Sequence, residues 1–307
     1  MPRPLTILLL LLLVLLPCRD AAGQDPGEGG KQFAFAESLF QERDYFRAIT
    51  EYKRFAFLYP GDAARVEASR FRIGECYFLA ERWEEAVEAF RQFVREFPLS
   101  PRVDEALLYM GAAEKKRKRY DEALSLFDAV AERGQAREHR NRGVYEGALV
   151  LLEKGDWQGA RERFLRVGED SPLRRPALVY FDGLQKEKDL PRKDPAVAGT
   201  LAAILPGAGH LYTDRPKDAL VAFLLNGAFI WAAVELFDDG NTVAGAVVTF
   251  FELGWYTGNI YSAVGSAHKY NRRIRDDHLK TLKEQALLSR RDGHGTPSLC
   301  FAFNIPF

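Results

Sequence analysis

Residues 83–98 read W-E-E-A-V-E-A-F-R-Q-F-V-R-E-F-P, and one spacing inside them decides the fold. Ala86 is followed four residues later by Phe90 and three beyond that by Phe93, and Pro98 closes the stretch. Steps of four and three place the three side chains on one face of a helix. The signature returns as Ala48, Tyr52, Phe55 with Pro60, as Ala123, Phe127, Val130, and as Ala160, Phe164, Val167 with Pro172, while the third unit carries Gln135 in place of a proline. Twelve residues before each of the last three alanines lies a small residue: Gly74, Gly111 or Ala148. A period of 37 to 38 residues with one supersecondary unit per period is the mark of a stacked array.

Gly74 and Tyr77 on a first helix, then alanine, phenylalanine and a terminating proline on a second, resemble the tetratricopeptide repeat. The resemblance implies an all-α solenoid of about four helix pairs over residues 31–172, with small residues where paired helices approach and aromatics filling the holes between them. It assigns Phe90, Phe127 and Phe164 to packing, and it implies a concave face that takes an extended or helical segment of a protein partner. The long period is similar to envelope arrays of outer-membrane assembly lipoproteins and cell-division coordinators. That likeness implies a scaffold of the bacterial cell envelope, with envelope assembly as the process. The basic run Lys115-Lys116-Arg117-Lys118-Arg119 reads as a solvated helix end, the alternative being recruitment of an acidic partner or anionic lipid.

The 307 residues are 47% hydrophobic and 28% charged, an ordinary globular balance, and 43 basic residues against 43 acidic ones leave no net field to draw nucleic acid. Cys18, Cys76 and Cys300 are too scattered for a disulfide framework. No H-E-x-x-H, paired-cysteine metal spacing, phosphate loop or G-x-S-x-G elbow is present, so the expectation is a non-enzymatic protein with no cofactor and no metal.

Arg3, an apolar run from Ile7 to Leu16 and the small residues Ala21-Ala22-Gly23 read as a secretory signal over residues 1–23, cleaved after Gly23. Cys18 as a lipidated first residue is the rival reading, and Pro17 speaks against it because proline fixes the backbone angle before the cleavage site.

Residues 173–195, charged and punctuated by prolines, read as a linker, followed by a membrane domain over 196–268. Three apolar segments are expected there: Ala196 to Leu211, Asp218 to Phe237 and Thr242 to Val264. The last two form a transmembrane helical hairpin across Asp238-Asp239-Gly240-Asn241. The first, broken at Pro206, crosses, dips into the membrane or lies on it. Arg215, Lys217, Lys269, Arg272, Arg273 and Arg275 flank the hairpin's open end, and combining them with an exported repeat region favours three crossings over two. Pro206-Gly207-Ala208-Gly209-His210-Leu211-Tyr212 is similar to small bacterial membrane domains with a P-G-x-G-x-x-Y signature.

Inside the segments Glu252 is the residue that must be paired, protonated or watered, with Asn226, His210 and Asn259 as polar partners, and Gly254 and Gly258 form a G-x-x-x-G face for close helix packing. Polar glue between helices is the favoured reading, and an ion or proton path through Glu252 and His210 in a small transporter or channel component is the alternative. A structural spacer is the third. Residues 269–307 are expected to form a charged helix and a tail in which Leu299, Phe301, Phe303, Ile305 and Phe307 alternate as in a strand, similar to the terminal signal of outer-membrane barrels. The chain is thus expected in the bacterial inner membrane, touching membrane lipid, with its repeats in the periplasm, or else in association with the outer membrane.

Overall fold

The computed structural model describes residues 26–291, which form two compact units divided between Leu173 and Arg174. The signal segment, Cys18, the cleavage site at Gly23, Cys300 and the alternating tail lie outside the described residues. Thirteen α-helices and one short 3-10 turn are found among the described residues, and no strand.

The first unit holds eight helices in four antiparallel pairs: α1 (Pro26–Gln41) with α2 (Tyr45–Leu58), α3 (Ala63–Leu79) with α4 (Trp83–Glu96), α5 (Val103–Lys116) with α6 (Tyr120–Arg133), and α7 (Arg137–Lys154) with α8 (Trp157–Leu165). Each helix packs on the next, and first helices also touch the first helices of neighbouring pairs, as a tetratricopeptide-like solenoid requires. The signature residues are its core: Ala48, Tyr52, Phe55, Ala86, Phe90, Phe93, Ala123, Phe127, Val130, Ala160 and Phe164 are all fully buried. A methyl group on Gly74 would stand 2.7 Å from the Phe90 ring, and one on Gly111 would stand 2.7 Å from the Phe127 ring, so each glycine is the floor on which the paired helix's aromatic lies.

The turn inside every pair is the same object. The amides of Asp44, Arg82, Arg119 and Asp156 bond the carbonyls five residues earlier, of Leu39, Tyr77, Glu114 and Leu151, each at 2.9 Å. Each follows a left-handed residue, Arg43, Glu81, Lys118 or Gly155. This is the Schellman ending, and three of its four left-handed positions are filled by residues with a Cβ.

The second unit holds α9 (Arg174–Gln185), α10 (Pro195–Ile204), α11 (Ala208–Tyr212), α12 (Pro216–Asp238) and α13 (Thr242–Arg291). Two expectations are corrected. Residues 174–185, read as linker, are a helix packed against α13, with Pro176 inside the first turn, where its missing N–H costs nothing. The boundary at 268 is no break, because the third apolar segment and the charged stretch after it are one 50-residue helix.

The first apolar segment does not form a crossing helix. Ten residues of α10 rise only about 15 Å, half a bilayer core. The chain then turns at Leu205-Pro206-Gly207 and comes back. At the way in, Lys193 lies 3.5 Å from Asp214 at the way out, and the Tyr212 hydroxyl accepts the Asp194 amide at 3.0 Å. Near the apex Tyr256 donates to the Ala203 carbonyl at 3.1 Å. Gly207 takes φ +89, and a Cβ there would collide with the Ala219 carbonyl; one on Gly209 would collide with the Ala198 carbonyl. The P-G-A-G stretch is therefore a tight turn that brings α11 back against α10.

Candidate functional site

Two polar arrangements stand out, one in each unit. In the repeats, side chains of successive first helices, together with Tyr52 of α2, are joined in a chain. Tyr52 donates to Glu37 at 2.5 Å, Arg72 donates to Glu37 at 3.0 Å and to Glu75 at 2.8 Å, and Tyr109 donates to Glu75 at 3.0 Å. Arg72 also stacks 4.6 Å over the Phe40 ring. Burial raises the Glu75 carboxyl above its ordinary value in spite of Arg72, and burial together with the neighbouring carboxylates raises both tyrosines. Farther along, Lys115 pairs with Glu146 at 3.1 Å, and His139 lies 3.4 Å from Asp104, which also accepts the Gln135 amide at 2.7 Å.

These bridges hold neighbouring repeats at a fixed angle. They also consume much of the basic run. Burial works against the charge on Lys115, yet Glu146 outweighs it and holds the ammonium above its ordinary value, while Arg117 pairs with Glu114 at 3.2 Å and Glu84 at 3.4 Å. The chain of bridges was missed in the sequence. Its one legible signal is Glu75 itself, a carboxylate set inside the apolar run Ile73-Gly74-Glu75-Cys76.

In the second unit, α12 and α13 pack as an antiparallel hairpin whose contact face is small and polar. Ala219, Ala222, Asn226 and Ala233 are the buried positions of α12, and Gly245, Glu252, Asn259 and Ser266 recur every seven residues along the buried stripe of α13. The outward faces carry Leu220, Phe223, Leu224, Trp231, Val243, Phe250, Phe251 and Leu253, each half exposed or more. Polar and small residues inside with large apolar ones outside is the reverse of an aqueous helical hairpin.

The structure brings Asn226 and Glu252 to matching heights. They stand twelve residues before the end of α12 and ten after the start of α13, roughly 15–18 Å from the turn. Asn226 is fully buried and donates Nδ2 to the Ala222 carbonyl at 2.6 Å, its Oδ1 left unpartnered, and both Glu252 oxygens are buried without a hydrogen bond. His210 on α11 and Asn259 on α13 lie nearer the open end, buried, with the His210 Nδ1 and both Asn259 amide atoms unpartnered.

Gly254 and Gly258 do not pack against a helix: a Cβ at either would meet open space. They line a groove of about 1030 Å³ that opens beside the hairpin and is also lined by His210 and Asn259. Among the described residues no cluster of three or more His, Cys, Asp or Glu side chains is placed to hold a metal.

A comparison with curated proteins returns no match. Among solved structures, two of nearly identical TPR-like repeats from Podosopora anserina, named after kinesin light chain, superpose with TM-scores of 0.42 and 0.38 at 16% and 15% identity. They cover 52% and 77% of this chain and 87% and 96% of theirs. A Rap protein complexed with competence and sporulation factor superposes with a TM-score of 0.37 at 13% identity over 83% of this chain and 75% of its own. The tetratricopeptide repeat family model matches residues 68–100 and 105–133, the spans of the second and third helix pairs, and these pairs are tetratricopeptide repeats.

Proposed function

We propose that the protein is a membrane-tethered scaffold of the bacterial cell envelope, whose repeats hold a protein partner while the second unit anchors them. Tetratricopeptide repeats imply protein-protein interaction, and this gives the function of the first unit. The anchor rests on one observation, the inverted polarity of the α12–α13 hairpin. In water its leucines and phenylalanines would turn inward; in lipid the only groups that gain from meeting are the small and polar ones. Among the described residues Pro216–Asp238 alone is long and apolar enough to cross a bilayer, and in this reading the first half of α13, packed against it, crosses beside it.

Two crossings put the repeats and the end of α13 on the same side. The N-terminal signal directs that side to the periplasm, with envelope assembly as the process served. Arg215, Lys217, Lys269, Arg272, Arg273 and Arg275 at the hairpin's open end favour a second reading, in which that side is cytoplasmic. Glu252 belongs to the seam as helix-to-helix glue, since one acid and one histidine at different depths do not make a relay.

Single cysteines placed at Glu88, Asp239 and Arg272 in a Cys76→Ala, Cys300→Ala background decide the matter. Labelling of Glu88→Cys and Arg272→Cys from outside, with Asp239→Cys protected, is the expected result. Labelling of Asp239→Cys alone establishes the cytoplasmic reading. A chain washed from membranes by carbonate overturns the anchor.

A further inference from the structure

The open end of the α12–α13 hairpin carries more positive charge than its own carboxylates neutralise. Lys193 pairs with Asp214 at 3.5 Å, Arg215 with Asp218 at 2.5 Å and Arg275 with Glu187 at 3.6 Å. Lys217, Lys269, Arg272 and Arg273 are exposed and, among the described residues, have no carboxylate in ion-pair reach. These four occupy one layer. Arg215 donates to Ser266 at 2.8 Å, which sets the start of α12, and Lys217 with it, beside that turn of α13. From residue 266 to residue 273 the helix rises only about 10 Å. One turn farther out the sign reverses, at the exposed Asp276 and Asp277.

The height of this layer follows from the apolar face below it. From Phe251, steps of four and three lead through Trp255, Gly258, Ser262 and Gly265 to Lys269 and on to Arg272 and Arg273. The cations therefore end the same stripe of α13 that the exposed Phe251 and Trp255 begin. Lys269 lies about 40 Å along the helix from Thr242, the thickness of a bilayer with its headgroups. The Arg273 guanidinium also stands 5.8 Å over the Tyr270 ring, an aromatic of the kind found at membrane interfaces. We infer that this collar binds net-negative phospholipid headgroups, of the phosphatidylglycerol type, in the leaflet at the hairpin's open end. The inference rests on the membrane reading above. A zwitterionic headgroup brings an ammonium with every phosphate and leaves the four charges uncompensated, whereas a phosphodiester with a neutral glycerol cap compensates one charge each. An acidic protein segment would match the charge too, but the collar is continuous with the apolar stripe, so such a segment would first have to displace the headgroups that stand there.

The test is native mass spectrometry of the full chain released from detergent micelles containing equimolar palmitoyl-oleoyl-phosphatidylglycerol and palmitoyl-oleoyl-phosphatidylethanolamine, reading the ratio of the two lipids retained. Wild type is compared with the combined variant Lys217→Gln, Lys269→Gln, Arg272→Gln, Arg273→Gln. The control removes as many exposed cations elsewhere in the second unit: Lys186→Gln, Lys188→Gln, Lys280→Gln, Arg290→Gln. Carbonate-resistant membrane association is measured for each. A cation at an anionic surface is worth about fivefold in binding, so wild type and control are expected to prefer phosphatidylglycerol by about fivefold or more, and the collar variant to retain the two lipids about equally. No preference in the wild type overturns the proposal and leaves the collar to an acidic protein segment. A preference that survives in the collar variant, or that the control loses as fully, also overturns it, because total charge and not the collar would then select the lipid. Release of the wild type by carbonate removes the membrane reading, an outcome distinct from a chain that stays in the membrane and shows no preference.

Discussion

Asn271 holds the backbone of Lys193 from both sides, accepting its amide on Oδ1 and donating Nδ2 to its carbonyl, each at 2.8 Å across 78 residues of sequence. This clasp fixes the chain just ahead of α10. Asn271→Ala leaves a donor and an acceptor without partners and is expected to cost about 1–3 kcal/mol. Limited proteolysis in detergent reads it, with faster cleavage after Lys193. Asn271→Asp keeps the acceptor and should fall between the two.

Gly111 and Phe127 test the repeat core. Gly111→Ala pushes a methyl into the ring of Phe127, and overpacking of this kind costs about 1–3 kcal/mol. Phe127→Ala should cost more, about 3–5 kcal/mol, because it empties a fully buried site. Chemical denaturation of the two variants checks both values, and a Gly111→Ala chain as stable as wild type would show that the two helices can slide apart.

The left-handed turn residues offer a gain of stability. Lys118 sits at φ +61, where a Cβ costs about 1–2 kcal/mol and glycine does not pay it. Lys118→Gly is therefore expected to raise the unfolding midpoint, and Gly155→Ala at the equivalent turn to lower it. Thermal melts of the pair decide, since a mere loss of charge at residue 118 would not move residue 155.

Glu75 gives a pH dependence of unusual sign. Its carboxyl binds a proton more tightly folded than unfolded, so its charged form weakens the fold above the folded value, and the loss is relieved as pH falls through that value. The stability of wild type relative to Glu75→Gln should therefore rise as pH is lowered from neutral toward about 4.3. A difference that shrinks or stays flat in urea titrations at stepped pH would mean that Arg72 dominates Glu75.

Cys76 is fully buried, and burial pushes its thiol up to about 12. In a Cys300→Ala chain, maleimide at pH 8 should label residue 76 only after denaturant is added. Labelling at the native rate of an exposed cysteine would show that the α3–α4 pair opens readily.

The repeats were legible because their information is local. Alanine, aromatic and apolar residues at fixed steps pick one face of one helix, and the positions so marked, from Tyr52 to Phe164, are fully buried. Helix α9 was hidden by Pro176, which reads as a breaker until it is seen within a first turn, although Pro176, Ala177, Tyr180, Gly183 and Leu184 already follow a helical stripe. The path of the Pro206 turn could not be read from spacing, since it is set by contacts to Asp214, Tyr212 and Tyr256. Gly254 and Gly258 show the same limit from the other side: the motif announces a smooth surface and says nothing about what lies on it.

The unbroken length of α13 has a mechanical consequence. About 75 Å of continuous helix carries Glu252 near one end and Leu282, packed on Gly183 of α9, near the other. Between them the helix runs without a break. A change of tilt at the Glu252 end is therefore carried along the helix toward Leu282 and the α9 helix packed there.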